Sequence, residues 1–439
     1  MIKMELRKAA FAVAVASAAA LPLAAMAATE AQKQTAIDGG LAWLASQQGA
    51  NGSWCQSGYC AADTAAALLA FTEQKYKPLG WNDPINPNKY ASNVTNAVNF
   101  LLKDAGTVAI PNNRGDGNNP NISGSGTGYI WGGNEATYVT GLVLPALARV
   151  TAGVNGITPG TAINLPGFAV DGKTYAQVIQ DTVATFANGQ TRVDNAAWAG
   201  ARGGWRYTPS DGQSDGSTAQ WPAIGMLFAQ QVPGVTVPGF VKSELKYWMD
   251  YIQNPNGGAG YDNPGNLVNE SKTGGLLVQM AFTGYNGTSS GAGDASDRAG
   301  ALAYLNTHWQ DGANGWDGNF GQPYSMWSVY KGLESTIGLT DTTAITNLRP
   351  QGGALLDAGD TWNWYEDYAQ SLVDAQNAGD GSWSGYQYWP QDLATAWNIN
   401  ILNATQVGPG PNPAPEPASI ALVGLALVGL VVSRRRKGG

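Results

Sequence analysis

The stretch Ala36 to Phe71, AIDGGLAWLASQQGANGSWCQSGYCAADTAAALLAF, decides the fold. Ala36, Ile37, Gly40, Leu41, Leu44 and Ala45 fall three and four apart, which predicts an amphipathic helix reaching Gln48. Asn51-Gly-Ser-Trp54 then makes a glycine turn, and Ala62-Asp-Thr-Ala-Ala-Ala-Leu-Leu-Ala-Phe71 begins a second helix that is small and apolar on every side. A first helix with one wet face and a second with none predicts an outer and an inner layer.

The same order returns at Tyr365 to Gln376, Gly379-Asp-Gly-Ser-Trp383 and Gln391 to Trp397. Four looser copies lie between. They run from Ala97 through Trp131 and Glu135-Ala-Thr137, from Tyr175 through Trp205 and Asp215, from Glu244 through Tyr261 and Glu270, and from Ala299 through Trp316 to Tyr330. A helix pair cannot bury both faces alone, so neighbours must stack. Six pairs predict an all-α domain over residues 28–404, an α/α toroid in which two layers of helices close into a ring.

Composition agrees with many short turns around an aromatic core: 58 Gly, 16 Trp and 18 Tyr occur in 439 residues, and only 13% of residues are charged. Setting aside the seven basic residues of both ends and Glu5 leaves 17 basic residues against 31 acidic ones, which excludes nucleic acid as a partner. The two cysteines, Cys55 and Cys60, flank a glycine turn and read as a local disulfide in an exported protein, since two thiolates are too few for a metal site.

Both ends carry addresses. Residues 1–27 have Lys3, Arg7 and Lys8, an apolar run and Ala25-Met26-Ala27, the pattern of a secretory signal removed by signal peptidase. Residues 405–417 form a Pro-rich linker, residues 418–432 a short apolar helix, and residues 433–439 a basic tail that stays cytoplasmic. Pro415-Glu416-Pro417, the apolar helix and Arg434, Arg435 and Arg436 together resemble the PEP-CTERM sorting signal of Gram-negative bacteria. The resemblance implies a transient inner-membrane anchor, processing by an exosortase, and delivery to the cell surface or an extracellular polymer matrix.

Trp43-x3-Gln47-x4-Gly52-x-Trp54 and Leu372-x3-Gln376-x4-Gly381-x-Trp383 resemble the QW motif of squalene and oxidosqualene cyclases. With the looser copies, the likeness to the prenyltransferase and squalene oxidase repeat superfamily extends over about residues 36–404. It implies a structural role for Gln47, Trp54, Trp205, Trp316, Gln376 and Trp383, with the glutamine amide capping a helix end and the indole packed over the joint. The chemistry of that superfamily does not carry over. The acid motif Asp-x-Asp-Asp is missing, Asp211-Gly-Gln-Ser-Asp215 being the nearest segment, and one histidine with a paired Cys55 and Cys60 cannot supply a zinc set of Asp, Cys and His. Neither a metal nor another cofactor is expected.

What could still be chemistry is the set Asp63, Glu135, Asp215, Glu270 and Asp392, which recurs at the starts of the second helices. Carboxylates converging on one end of a ring would suit acid and base work on a glycosidic bond. An acidic residue at a helix start is also an ordinary cap. Arg202, Arg206 and His308 are the other polar candidates. Tyr324, Trp327, Tyr386, Tyr388 and Trp389 lie outside the repeated joint and suit a platform for sugar rings. The leading expectation is a surface or matrix module with a binding or structural role, whose candidate partners are extracellular polysaccharide or another surface protein. The alternatives are a secreted carbohydrate-active hydrolase or lyase and, behind it, a terpenoid cyclase-like enzyme.

Overall fold

A computed structural model describes residues 27–74, 76, 89–151, 157–209, 211–284, 295–349 and 362–406. Most of the expected signal peptide, the end of the linker, the apolar run 418–432 and the basic tail lie outside the described residues. Among the described residues no helix is long and apolar enough to cross a membrane.

The body is mostly helical. Six helices come first in their pairs, α1 (Glu30–Gln47), α3 (Ala91–Lys103), α5 (Tyr175–Gly189), α7 (Gly239–Ile252), α9 (Ala295–Thr307) and α11 (Trp364–Ala375), and all but the largely buried α5 have one wet face. Six alternate with them in the chain: α2 (Cys60–Glu73), α4 (Ala136–Val150), α6 (Gln220–Ala229), α8 (Glu270–Thr283), α10 (Pro323–Thr336) and α12 (Gln391–Leu402). In α3 the buried residues are Ala91, Val94, Ala97, Val98, Leu101 and Leu102, a single stripe, whereas every residue of α6 is buried. The wet and dry helices expected from Ala36 to Phe71 are therefore present, with α5 the exception: beneath the β-hairpin held by Thr185 it is buried on nearly all sides. Each dry helix packs on the next, α2 on α4, then α6, α8, α10 and α12, and α12 packs back on α2.

Close approach within the dry layer needs small residues. Where α8 meets α10, a Cβ on Gly274 would lie 2.6 Å from the backbone of Val329, and one on Gly332 would lie 2.4 Å from the Gly274 carbonyl oxygen. Side chains there would force the two helices apart.

The joints between pairs are built from one repeated set of bonds. The indole Nε1 atoms of Trp54, Trp131, Trp205 and Trp383 donate to the carbonyls of Leu44, Leu101, Phe186 and Leu372, near the end of the preceding wet helix, at 2.7 to 2.9 Å. These carbonyls lie in the last turns of their helices, where carbonyls lose their internal partners, and the one at Phe186 also accepts from Gln190 N. A glutamine just past the wet helix then donates twice. Gln190 Nε2 reaches Gly203 O and Val241 O, Gln253 reaches Gly257 O and Asp297 O, and Gln376 reaches Gly381 O and Ala36 O. Its first acceptor is in its own turn and its second in the next wet helix, so Gln376 ties α11 to α1. In the first pair this role belongs to Gln48, which reaches Gly52 O and Asn93 O; Gln47 is exposed and donates only to Ser46. The motif spacing selected the neighbour one residue too early. The turn glycines have left-handed backbones, as at Gly203 with φ +94°, where an added Cβ would sit 1.9 Å from Glu244 O.

Two further differences correct the sequence reading. An antiparallel hairpin of β1 (Gly106–Ala109) and β2 (Thr127–Ile130), pairing Gly106 with Ile130, sits between α3 and α4, so the body is not purely α. Thr185 in α5 holds it by donating to Tyr129 O at 2.9 Å. Trp316 does not occupy a joint; it is 52% exposed, because the turn from Asp311 to Gln322 folds on itself and leaves its indole outside.

Candidate functional site

The first turns of all six dry helices face one opening of about 420 Å³, which also takes residues from the turns before them. Aromatic rings make most of its wall. Trp221 of α6 and Trp397 of α12 stack at 6.1 Å, Tyr324 of α10 stacks on Trp389 at 5.0 Å, and Tyr138 of α4 stacks on Tyr207 at 6.1 Å. At the rim Trp316 and Tyr388 lie nearly parallel, 4.9 Å apart, with Tyr388 69% exposed. Tyr59 and Tyr261 complete the aromatic lining. Of the residues expected to form a platform, Tyr324, Tyr388 and Trp389 line this opening; Trp327 is buried against Tyr330, and Tyr386 pairs its backbone with Trp389.

Cys55 and Cys60 are joined by a disulfide, and their loop carries Tyr59 to the rim and Ser57 into the wall. A five-residue sequence separation permits the bridge only because Gly58 turns the chain with φ +83°.

The five recurrent carboxylates separate into different environments. Glu135 lines the opening and is half-buried, and burial, then the charge of Asp215, pushes its pKa up. Asp215 is fully buried and accepts from Ser217 Oγ, Thr218 N and Thr218 Oγ1 at 2.7 to 2.9 Å, with Arg206 Nε 3.7 Å away. That is the bonding of a cap, three residues ahead in the chain. Glu270 Oε2 accepts from Gly318 N at 2.9 Å in the following turn.

Asp63 and Asp392 meet where the first and last pairs close. Asp63 Oδ2 accepts from Ser57 N at 2.9 Å and Asp392 Oδ2 from Gln56 N at 3.1 Å, so successive amides of the disulfide loop address the two carboxyls. Asp63 Oδ1 is buried with no partner among the described residues. Burial, then the Asp392 charge, pushes the Asp63 pKa up to about 7. Neither aspartate lines the opening, and neither do Asp215 or Glu270.

The charged residue that does line it beside Glu135 is Lys272, which the sequence reading missed. It is 5% exposed, and burial pushes its pKa down to about 8 against the opposing charges of Asp317, Asp215 and Glu270. The signal was present: a lysine in the first turn of a dry helix whose only other charged residue is Glu270 opposes the helix dipole. Arg202 instead makes a two-pronged pair with Glu244 at 2.8 Å and covers the Tyr247 ring at 3.6 Å, which makes it a joint residue. Arg206 stands between Tyr207 and Tyr261, whose hydroxyls bond each other. His308 is outside the wall and bonds Asp311 at 2.8 Å.

No curated protein matches this chain. The PEP-CTERM protein-sorting motif matches residues 413–437, which takes in Pro415, Glu416, Pro417 and the arginine cluster and leaves the helical body unmatched. The chain is thus an exported bacterial protein bearing a PEP-CTERM sorting signal, processed by exosortase and destined for the cell surface or the extracellular space.

Proposed function

We propose that the mature protein is an α/α toroid of six helix pairs, deployed on the cell surface or in an extracellular matrix, whose aromatic opening binds saccharide units of a polymer. The cyclic packing of the dry helices and the Gln376 bond back to Ala36 support the toroid. Signal peptidase removes residues 1–27, and the apolar segment 418–432 holds the chain at the inner membrane until exosortase acts. The likeness to the squalene cyclase and prenyltransferase repeat then describes shared joints, with no shared reaction.

The observation that carries the binding reading is the wall itself. Its rings present flat faces to a space of about 420 Å³, with Glu135 and Lys272 as its charged groups and Ser57, Ser217, Asn269 and Ser271 as further polar contacts. Flat aromatic faces with a few polar groups suit sugar rings, which offer apolar C–H faces and a rim of hydroxyls. A hydrolase with two carboxylates needs a second one free within about 5 to 9.5 Å. Asp215 is the carboxylate whose charge Glu135 feels, and it is already committed to its cap. Binding is the better reading.

Affinity electrophoresis against the producing organism's own extracellular polysaccharide tests it. Trp316→Ala and Tyr388→Ala remove exposed rings, so they should abolish retardation while leaving the thermal midpoint in place. Retardation unchanged in both variants refutes the reading, and release of reducing ends that stops in Glu135→Gln would replace it with hydrolysis.

A further inference from the structure

We propose that Glu270, His308 and Asp311 form a binding site for one divalent transition-metal ion, Zn²⁺ by the chemistry of its donors, behind the Trp316 rim. One donor atom from each residue lies within 4.8 Å of the others. His308 and Asp311 stand three residues apart in the turn that follows α9, and Glu270 comes from the start of α8. The local pair and the distant Glu270 are brought together by the packing of α8 against that turn.

Each of the three is held from behind. Gly318 N donates to Glu270 Oε2 at 2.9 Å, the His308 ring lies 4.3 Å from the Tyr304 ring, and the Asp311 carbonyl accepts from Asn319 N and Phe320 N at 2.9 and 3.0 Å. The Gly318 bond to the Glu270 carboxylate is of the kind that orients ligands at metal sites, and the other contacts fix the ring and the backbone of the local pair. Glu270 is 3% exposed, and a carboxylate that deep is stabilised by a cation beside it. His308 and Asp311 remain open to water, which gives an ion an entry path and a free coordination position. An imidazole with two carboxylates favours Zn²⁺ and its neighbours over Ca²⁺ or Mg²⁺, which take oxygen ligands.

Binding requires the donors, which lie within 4.8 Å of one another, to adjust to tetrahedral spacing. Zinc bonds of about 2.0 to 2.2 Å place tetrahedral donors about 3.4 Å apart. His308 Nδ1 and Asp311 Oδ2 are 2.8 Å apart, and the exposed Asp311 side chain can open to admit the ion. An ion there would clamp α8 and α9 to the turn that carries Trp316, whose carbonyl already accepts from Asn269 Nδ2 at 2.8 Å.

His308 is the chain's single histidine, so its labelled ring gives one unambiguous NMR signal. Zn²⁺ titrated into the full chain should shift that signal and saturate at one equivalent, and Co²⁺ should give a visible absorption band that Zn²⁺ displaces. His308→Ala and Asp311→Asn change accessible positions and leave the core intact. Each should weaken Zn²⁺ binding by at least about 10- to 100-fold, the loss seen when even a supporting partner is removed. A His308 signal unmoved by millimolar Zn²⁺, affinity unchanged in both variants, or preference for Ca²⁺ over Zn²⁺ would overturn the site.

Discussion

Asp63→Asn should make the protein more stable at alkaline pH and flatten its pH dependence. The Asp63 pKa is raised in the folded state to about 7, by burial and then by Asp392, from about 3.9 in an unfolded chain. A carboxyl raised on folding favours the native state when protonated. That contribution is complete below pH 4 and is lost as pH rises through 7. At about 1.4 kcal/mol per pKa unit the full span is about 4 kcal/mol, of which about 3 kcal/mol is lost between pH 5 and pH 8. Asparagine keeps an oxygen for Ser57 N and offers an N–H toward Asp392 in place of a second charge. For a body of about 380 residues the unfolding entropy is about 0.8 kcal/mol per degree, so 3 kcal/mol corresponds to about 4 °C. Thermal midpoints of wild type and variant should therefore differ by about 4 °C more at pH 8 than at pH 5. Parallel midpoint curves would show that Asp63 is not held protonated and would refute the account of the Asp63 and Asp392 seam.

Other expectations follow from single bonds. Trp383→Phe removes the donor to Leu372 O and leaves a small void, so it should cost about 3 kcal/mol in a urea titration. Gly203→Ala must place a Cβ against Glu244 O in a left-handed backbone, and should cost more than about 2 kcal/mol or prevent folding, read by circular dichroism. Reductive ¹³C-methylation should report Lys272 titrating near pH 8, well below the ordinary lysine value of about 10.4; a normal value would place its ammonium in water. Glu416→Ala alters the sorting motif within residues 413–437 and should retain the protein in the membrane fraction, whereas normal release would separate export from this motif.

The helix order was legible because two periodicities were written plainly. Leu41 and Leu44 recur with a helical spacing on one face only, while Ala65 to Phe71 offers no polar face, and the structure buries them accordingly. Glycine turns with a following tryptophan marked the joints for the same reason, since the indole must both pack and donate. The glutamine register was less legible. Gln47 and Gln48 differ only in where the helix stops, and helix ends shift by a residue without any change in pattern. The hairpin was hidden because Gly106 to Ala109 and Thr127 to Ile130 are short, glycine-bearing and separated by a long connection.

The candidate site was harder to read because equivalent positions in a repeat do not receive equivalent surroundings. Trp54 and Trp383 are buried joint residues, yet Trp316, which follows a similar glycine turn one residue shorter, stands at the rim against Tyr388. Its own turn explains the exchange: Asn319 Nδ2 donates to Trp309 O at 2.8 Å, so the carbonyl at that helix end is already satisfied and the indole is released. The carboxylates diverge in the same way. Asp215 meets Thr218 and becomes a cap, Asp63 meets Asp392 across the closing seam, and Glu270 meets His308 and Asp311. One repeated position thus holds three kinds of electrostatic environment: that of Asp215 is set within its own segment, and those of Asp63 and Glu270 by residues distant in the sequence. Function in such a repeat is gained where a turn stops serving the joint. The Asp311 to Gln322 turn, which frees Trp316 and supplies both Asp311 and the Gly318 amide, is the turn whose replacement by the Asn51 to Trp54 type should remove binding while the remaining joints still hold the helices together.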